Sequence, residues 1–371
     1  MANTKIQWSD RTWNCLIGCS KVSQGCKHCY AERQAPSVLR RLRTTAKSPR
    51  GLATVDAYEQ ALDLSGETPR WSGCAVPMLH KLFEPLTWRK PQLVFVNSMS
   101  DVFHPSVPFE FISAMFGVMA AASHLTFQIL TKHPERALEW HRWVVNTNEN
   151  YNPLLESVFW ALQHEQRLSE KFDCSMPMHR HKSADPDGPW PLPNVWIGVS
   201  VEDQITAEQR IPQLLKLPAH VRWVSFEPAL EYVDFWPWIS KDDSRLEWIT
   251  TGGEGGPKDL PSIPEDDPRL DWIVVGGESG SKARPFCLSW AASVIYQGQS
   301  HGVPVFVKQL GAHPAEIIAK GHKLKDCHGG DPREWPAGLN VRQFPKDYTK
   351  EQTELVQCIT PAPKADDERL R

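Results

Sequence analysis

Six short apolar runs, at residues 93–96, 125–130, 195–199, 221–224, 272–275 and 304–307, constrain the fold more than any other feature of the chain. Each is short for a core helix and rich in β-branched or aromatic residues, as strands buried on both faces of a parallel sheet are. Helix signals fall between many of them. Pro108 opens a segment carrying Phe111, Met115 and Met119, and Pro134 opens another carrying Ala137, Trp140, Trp143 and Val144. Thr206 and Gln209 have capping-box spacing ahead of Ile211, Leu214 and Leu215, and Ser289 and Gly302 bracket the last segment as cap and stop. The alternation predicts an α/β fold, a full or partial (β/α) TIM-like barrel, with a doubly wound open sheet as the alternative.

The chain has 371 residues and divides on this reading into one barrel-like domain over 1–311 and a partly irregular C-terminal extension over 312–371. A cysteine loop occupies 15–30, and the polar, Pro-rich stretch at about 163–193 reads as an inserted loop. Residues 246–255 echo 270–279, but only the second copy has a fully apolar strand before its glycines. Trp8 and Trp13 read as lids packed on the barrel. With 41% hydrophobic and 23% charged residues the composition is that of an ordinary globular protein. No apolar run reaches the roughly 20 residues a membrane helix needs, and the N-terminus lacks a signal-peptide pattern, so a cytoplasmic protein is expected.

A formal charge of −3 excludes a globally basic nucleic-acid binder. Cations gather only locally, at Arg33, Arg40, Arg41, Arg43, Lys47 and Arg50, and again at 179–182. A solvated helix face and a phosphate-contacting strip both account for the first run.

In parallel α/β folds ligands bind at the carboxyl ends of the strands. The residues that follow the six runs are Asn97, Ser98, Ser100 and Asp101; Thr131 and Lys132; Ser200 and Glu202; Ser225 and Glu227; Gly276, Gly277 and Glu278; and Lys308 and Gln309. Acids, lysines and amides thus converge on one rim, which predicts a polar cofactor and substrate site there. Gly276 and Gly277 either admit a ligand close to the backbone or simply turn the chain.

Cys19, Cys26 and Cys29 have the spacing C-x6-C-x2-C, and Cys15 lies just upstream. Thiols crowded into one loop of a chain without secretory signals point to a metal or cluster rather than to disulfides. Structural zinc takes four closed tetrahedral ligands, usually from two separated pairs. A [4Fe–4S] cluster takes one thiolate per iron, so three cysteines leave one iron open to a small chelating ligand. The amine and carboxylate of S-adenosylmethionine fit that vacancy. Both metals stay open on spacing alone. Tyr30 is placed to shield a cluster from water, and Gly18 and Gly25 to let amides approach its sulfides.

Ile6-Gln7-Trp8-Ser9-Asp10, Gly25-Cys26-Lys27-His28-Cys29-Tyr30, Val96-Asn97-Ser98-Met99-Ser100-Asp101, Leu130-Thr131-Lys132-His133-Pro134, Gly198-Val199-Ser200-Val201-Glu202, Ser225-Phe226-Glu227-Pro228 and Phe306-Val307-Lys308-Gln309 together carry a likeness over most of the chain. It resembles a radical-SAM-like family of phage and prophage proteins of unknown function. The resemblance implies a barrel holding a [4Fe–4S] cluster on Cys19, Cys26 and Cys29, with Cys15 an extra thiol. It implies an enzyme that takes an electron from a donor and cleaves S-adenosylmethionine to a 5′-deoxyadenosyl radical. On that reading Asn97, Ser98, Ser100, Asp101 and Ser200 contact the cofactor. Lys132, Glu202, Glu227, Glu278 and Lys308 orient the cofactor or substrate, and a nucleic acid or nucleotide is the expected substrate. The cysteine spacing departs from the usual C-x3-C-x2-C of radical SAM enzymes, and the glycine-glycine-glutamate triplet comes later in the chain than theirs. The alternative is a non-catalytic nucleic-acid- or partner-binding protein with structural zinc.

Overall fold

A computed structural model describes residues 4, 6–146, 153–172, 189–240 and 269–345. Among them a seven-stranded, wholly parallel sheet runs in simple sequence order: β1 (Arg11–Trp13), β2 (Leu93–Val96), β3 (Thr126–Thr131), β4 (Val195–Val201), β5 (Val221–Phe226), β6 (Trp272–Gly276) and β7 (Val305–Gln309). The last strand pairs with β6 and not with β1, so the sheet curls into a half-barrel flanked by helices. All six predicted runs are strands. The short β1 escaped notice because three residues carry too little period to be read.

Side chains alternate across each strand. On the outer face Val94, Ile129, Val199, Val224, Val275 and Val307 join the main core. Against that face pack α3 (Phe109–Ala121), α4 (Pro134–Asn146), α6 (Gln204–Leu215) and α7 (Leu288–His301). On the inner face Phe95, Trp196, Trp223, Val274 and Phe306 form a second cluster with Trp8 and Trp272. Trp8 is therefore a barrel floor and not a lid, with its ring 4.8 Å from Phe95 and 5.2 Å from Trp223. Trp13, wholly buried on β1, belongs to the main core.

Helix ends depart from expectation by a turn or less. Pro108 caps α3 as predicted, and Gly302 ends α7 in the left-handed region at φ 70°. Cys287, not Ser289, is the N-cap of α7. The capping box of α6 pairs Asp203 with Thr206, because Asp203 accepts from the Thr206 amide at 2.8 Å and Thr206 is N3 rather than the cap. A further helix, α5 (Pro153–Phe172), runs through the first ten residues of the stretch read as an inserted loop and packs on α3. Its Trp- and Leu-bearing face outweighs the polar composition around it. Residues 179–182, the echo at 246–255 and the tail after 345 lie outside the described residues.

Between β1 and β2 the chain builds a separate layer. Helices α1 (Tyr30–Thr45) and α2 (Pro49–Ala61) share a small core of Ala31, Ala35, Leu39, Val55, Tyr58 and Ala61. Met99, from the loop after β2, completes it and ties this layer to the strand ends. At the far edge the C-terminal extension covers β7: Val307 N donates to Val341 O at 2.8 Å, and Trp335 and Leu339 are buried in the main core. A bare strand edge is thereby removed. No helix among the described residues is long and apolar enough to cross a membrane.

Burial pulls His141 and His164 down to about 4, and both ring nitrogens of His164 lack hydrogen-bond partners. A depressed folded value means the unfolded chain binds more protons below about pH 6.5, so the stability from keeping these rings neutral is lost as pH falls toward about 4. The urea midpoint of the protein should therefore drop between about pH 7 and about pH 4.5, and His164→Leu should drop less. Equal drops in the two proteins would show that other groups drive the acid transition.

Candidate functional site

The alternation that buries the aromatic floor also builds the rim. Following inner-face positions along each strand leads from Phe95 to Asn97, from Gln128 through Leu130 to Lys132, and from Trp196 to Ser200 and Glu202. It leads likewise from Trp223 to Ser225 and Glu227, from Val274 to Gly276 and Glu278, and from Phe306 to Lys308. The same period of two that points apolar side chains inward at mid-strand points polar ones inward at the carboxyl ends.

The cysteine loop lies across this rim, held by the loop after β2. Gly18 N donates to Met99 O at 3.2 Å, and Ser100 Oγ donates to Gly18 O at 2.6 Å. Asn97 Oδ1 accepts from the amides of Cys15 and Leu16 at 3.1 and 3.2 Å. Asn97 is the sole non-glycine with positive φ among the described residues, at 58°, a conformation that costs energy and persists where surroundings impose it. Its Nδ2 is buried without a hydrogen-bond partner. His104, buried, is 2.9 Å from Ser20 Oγ through Nε2 and accepts from Ser106 N through Nδ1, so it holds the loop as a neutral ring. Burial lowers its pKa, in keeping with that state.

Glu202 fastens the other side of the loop. Its carboxylate is wholly buried, pairs with Lys132, accepts from Arg210 at 3.0 Å and accepts from Ser23 Oγ at 2.9 Å. Any side chain at Gly25 would stand 2.5 Å from Glu202 Oε1, so only glycine lets the loop sit this close.

Cys19, Cys26 and Cys29 are free thiols facing a single cavity of about 170 Å³. Asn97, Ser98, Ser100 and Asp101 line the same cavity, as do Tyr30, Lys132 and Ser200. Burial pushes Cys19 up, helped by Asp101 and the other two thiols, and burial likewise raises Cys29. Burial also opposes ionisation of Cys26, but the Lys132 ammonium and backbone hydrogen bonds at Val22 and Ser23 leave it net lowered. Desolvated thiols that repel one another as thiolates are a donor set that a multivalent cation stabilises. Cys29 also caps α1, where the helix dipole favours negative charge. Cys15 is enclosed in the main core, its thiol raised well above the usual range by burial, and it lines neither cavity of the rim.

No three His, Cys, Asp or Glu side chains among the described residues gather as ligands of one metal ion would. Zinc needs its donors at about 2.0–2.3 Å from one point, whereas a cluster takes each thiolate on a different iron. Three thiols on one cavity wall suit a group that takes each thiolate on a different metal atom.

Behind a wall made by Cys29, Tyr30 and Lys132 opens a second chamber, of about 250 Å³. Trp8, Phe95 and Leu130 give it apolar surface; Ser225, Glu227, Glu278, Lys308 and Gln309 give it charge and hydrogen-bonding groups. Lys308 Nζ is 3.0 Å from Glu227 Oε1, and Arg284 holds Glu278 through Nε and an η-nitrogen at 3.1 and 2.9 Å. Burial works against the Glu278 charge, but Arg284 wins and holds the carboxyl below its usual range. The glycines here serve packing. At Gly276 a side chain would meet Glu227 at 2.9 Å, and at Gly277 the Leu310 carbonyl at 2.5 Å.

Thus all the rim residues singled out from sequence line one of the two cavities except Gly276, which packs against Glu227, and Glu202, which lies behind the loop. Asp101 lines the cysteine cavity with its oxygens already committed to Phe103 N, Thr131 Oγ1 and Lys132 N. Sequence reasoning missed Ser23, His104 and Arg210. Arg210 sits eight residues after Glu202, two turns along α6, a spacing that becomes informative only once Glu202 is known to be buried.

The fold and site define a class: a parallel α/β half-barrel that carries a three-cysteine loop across the carboxyl ends of its strands. The chain belongs to the family described as "Protein of unknown function (DUF5131)", whose model matches residues 3–337. No curated protein and no solved structure matches it.

Replacing Glu202 by Gln leaves Lys132 and Arg210 without their counter-charge in a buried position, and should cost about 3 kcal/mol of stability in urea unfolding. The freed loop should also expose Cys26 to faster labelling by a thiol reagent. Stability and labelling both unchanged would remove Glu202 from its anchoring role.

Proposed function

We propose that this protein is a radical S-adenosylmethionine-type iron–sulfur enzyme acting on a nucleic acid or nucleotide. The observation that carries the proposal is the convergence of three free thiols on one cavity at the strand ends, against a second, mainly apolar chamber that carries a few charged side chains. Cys19, Cys26 and Cys29 would hold the [4Fe–4S] cluster. When bound and reduced by an electron donor, such a cluster would supply the one electron needed to open a carbon–sulfur bond of S-adenosylmethionine to methionine and a 5′-deoxyadenosyl radical.

The chain's own residues position and protect. Asn97 lines the cysteine cavity and fixes the amides of Cys15 and Leu16 through its Oδ1. Lys132 adds positive charge between the thiols and the chamber. Tyr30, whose hydroxyl donates to Ser98 O at 2.7 Å, stands between the two cavities with its ring as a partition. Trp8 and Phe95 keep the chamber floor dry, which suits a reactive carbon radical. The Lys308–Glu227 pair offers the substrate an ammonium and a carboxylate at one place.

Anaerobic reconstitution with iron and sulfide, followed by S-adenosylmethionine and dithionite, should yield 5′-deoxyadenosine and methionine in equal amounts. Cys26→Ala should abolish both. A cluster-loaded sample that forms neither product would overturn the proposal.

A further inference from the structure

Beside the chamber the rim opens onto a third space. Ser279 lines the chamber, and its neighbours Gly280 and Ser281 line a groove of about 700 Å³ between the loop after β6 and the chain after β7. The two spaces are therefore walled by consecutive residues of one loop.

Its own lining carries one formal cation and one formal acid, and further cations stand on its border. Lys323, His313, His322 and His328 line it, with Asp326 as the acid. Asp326 is already engaged, since its oxygens accept from His328 N at 3.0 Å and Gly330 N at 2.6 Å. At the junction with the chamber stands Arg33, exposed, with one η-nitrogen 3.4 Å from Ser279 O. A side chain at Gly280 would meet that guanidinium at 2.6 Å, so the glycine keeps Arg33 at the mouth. Lys282, exposed on the same loop, adds a further cation. Arg40 follows Arg33 by two turns on α1, about 10 Å along one face, and is also exposed.

We propose that this groove binds a single-stranded polynucleotide, its phosphates on Arg33, Lys282 and Lys323, and delivers one nucleotide into the chamber. A chamber of about 250 Å³ with an aromatic floor admits one base and excludes a duplex. Chemistry on a base requires it out of the stack, and aromatic rings receive an unstacked base irrespective of sequence. The inference deepens the proposed function by making the substrate a residue within a strand rather than a free nucleotide, and it rests on that reading for the role of the chamber alone.

The test is fluorescence anisotropy with labelled oligothymidylate and oligouridylate of about 12 nucleotides, without turnover, across a salt series. The protein should bind at least one of the two strands far more tightly than it binds thymidine or uridine monophosphate. Arg33→Glu and Lys323→Glu should each weaken strand binding by roughly tenfold and lower the salt slope by about 1. Lys282→Glu provides an independent reversal on the same rim. Lys90→Glu, the same charge change at an exposed site before β2 and thus at the opposite end of the strands, should leave binding unchanged. Equal weakening by Lys90→Glu, equal competition by a mononucleotide, or no binding at low salt would each overturn the inference. Binding is read here without S-adenosylmethionine, so failure of the cleavage assay and failure of the groove are told apart.

Discussion

The buried carboxylate of Glu202 is where three parts of the molecule meet. It ends the inner face of β4, receives Arg210 from α6 and Lys132 from the end of β3, and takes the Ser23 hydroxyl from the cysteine loop. A charge removed from water survives only with compensating partners, and here the partners come from separate elements. Docking of the loop and correct ends for two strands are thus one event. Gly25 completes it by allowing the loop to press on the carboxylate. Asp101 plays a similar part across the rim, where one side chain joins its own turn to Thr131 and Lys132.

The half-barrel separates two tasks along its axis. Tryptophans and phenylalanines fill the lower inner face, where burying large aromatic surface contributes most to stability. Lysines, glutamates and an asparagine occupy the same face at the carboxyl ends, where desolvated charges must be paired. The strained backbone of Asn97 and its unpartnered amide fall at this boundary. Both features are imposed by the packing of the loop after β2 against the cysteine loop.

The rim was legible because strand period and strand-end chemistry are local properties. Phe95 and Asn97, or Trp223 and Glu227, lie on one face for a reason that needs no tertiary information. Illegible were the features that depend on a distant partner. Trp8 belongs to the floor because Trp223 and Trp272 lie there, and nothing in residues 6–13 announces it. Strand β1 exists because β2 offers it a ladder, and α5 because α3 offers it a face. Ser23 and His104 look like ordinary loop residues until the loop is docked.

Local chemistry by itself determined the alternation of strands and helices, the inward side of each strand and the grouping of Cys19, Cys26 and Cys29. Such properties follow from periodicity and spacing, which a chain carries before it folds. Tertiary structure alone decided that the sheet stays open between β1 and β7, that Cys15 is sealed away from its neighbours, and that Glu202 anchors the loop instead of facing a cavity. Each of these turns on which surfaces meet across tens or hundreds of residues, and burial then dictates which charges must pair.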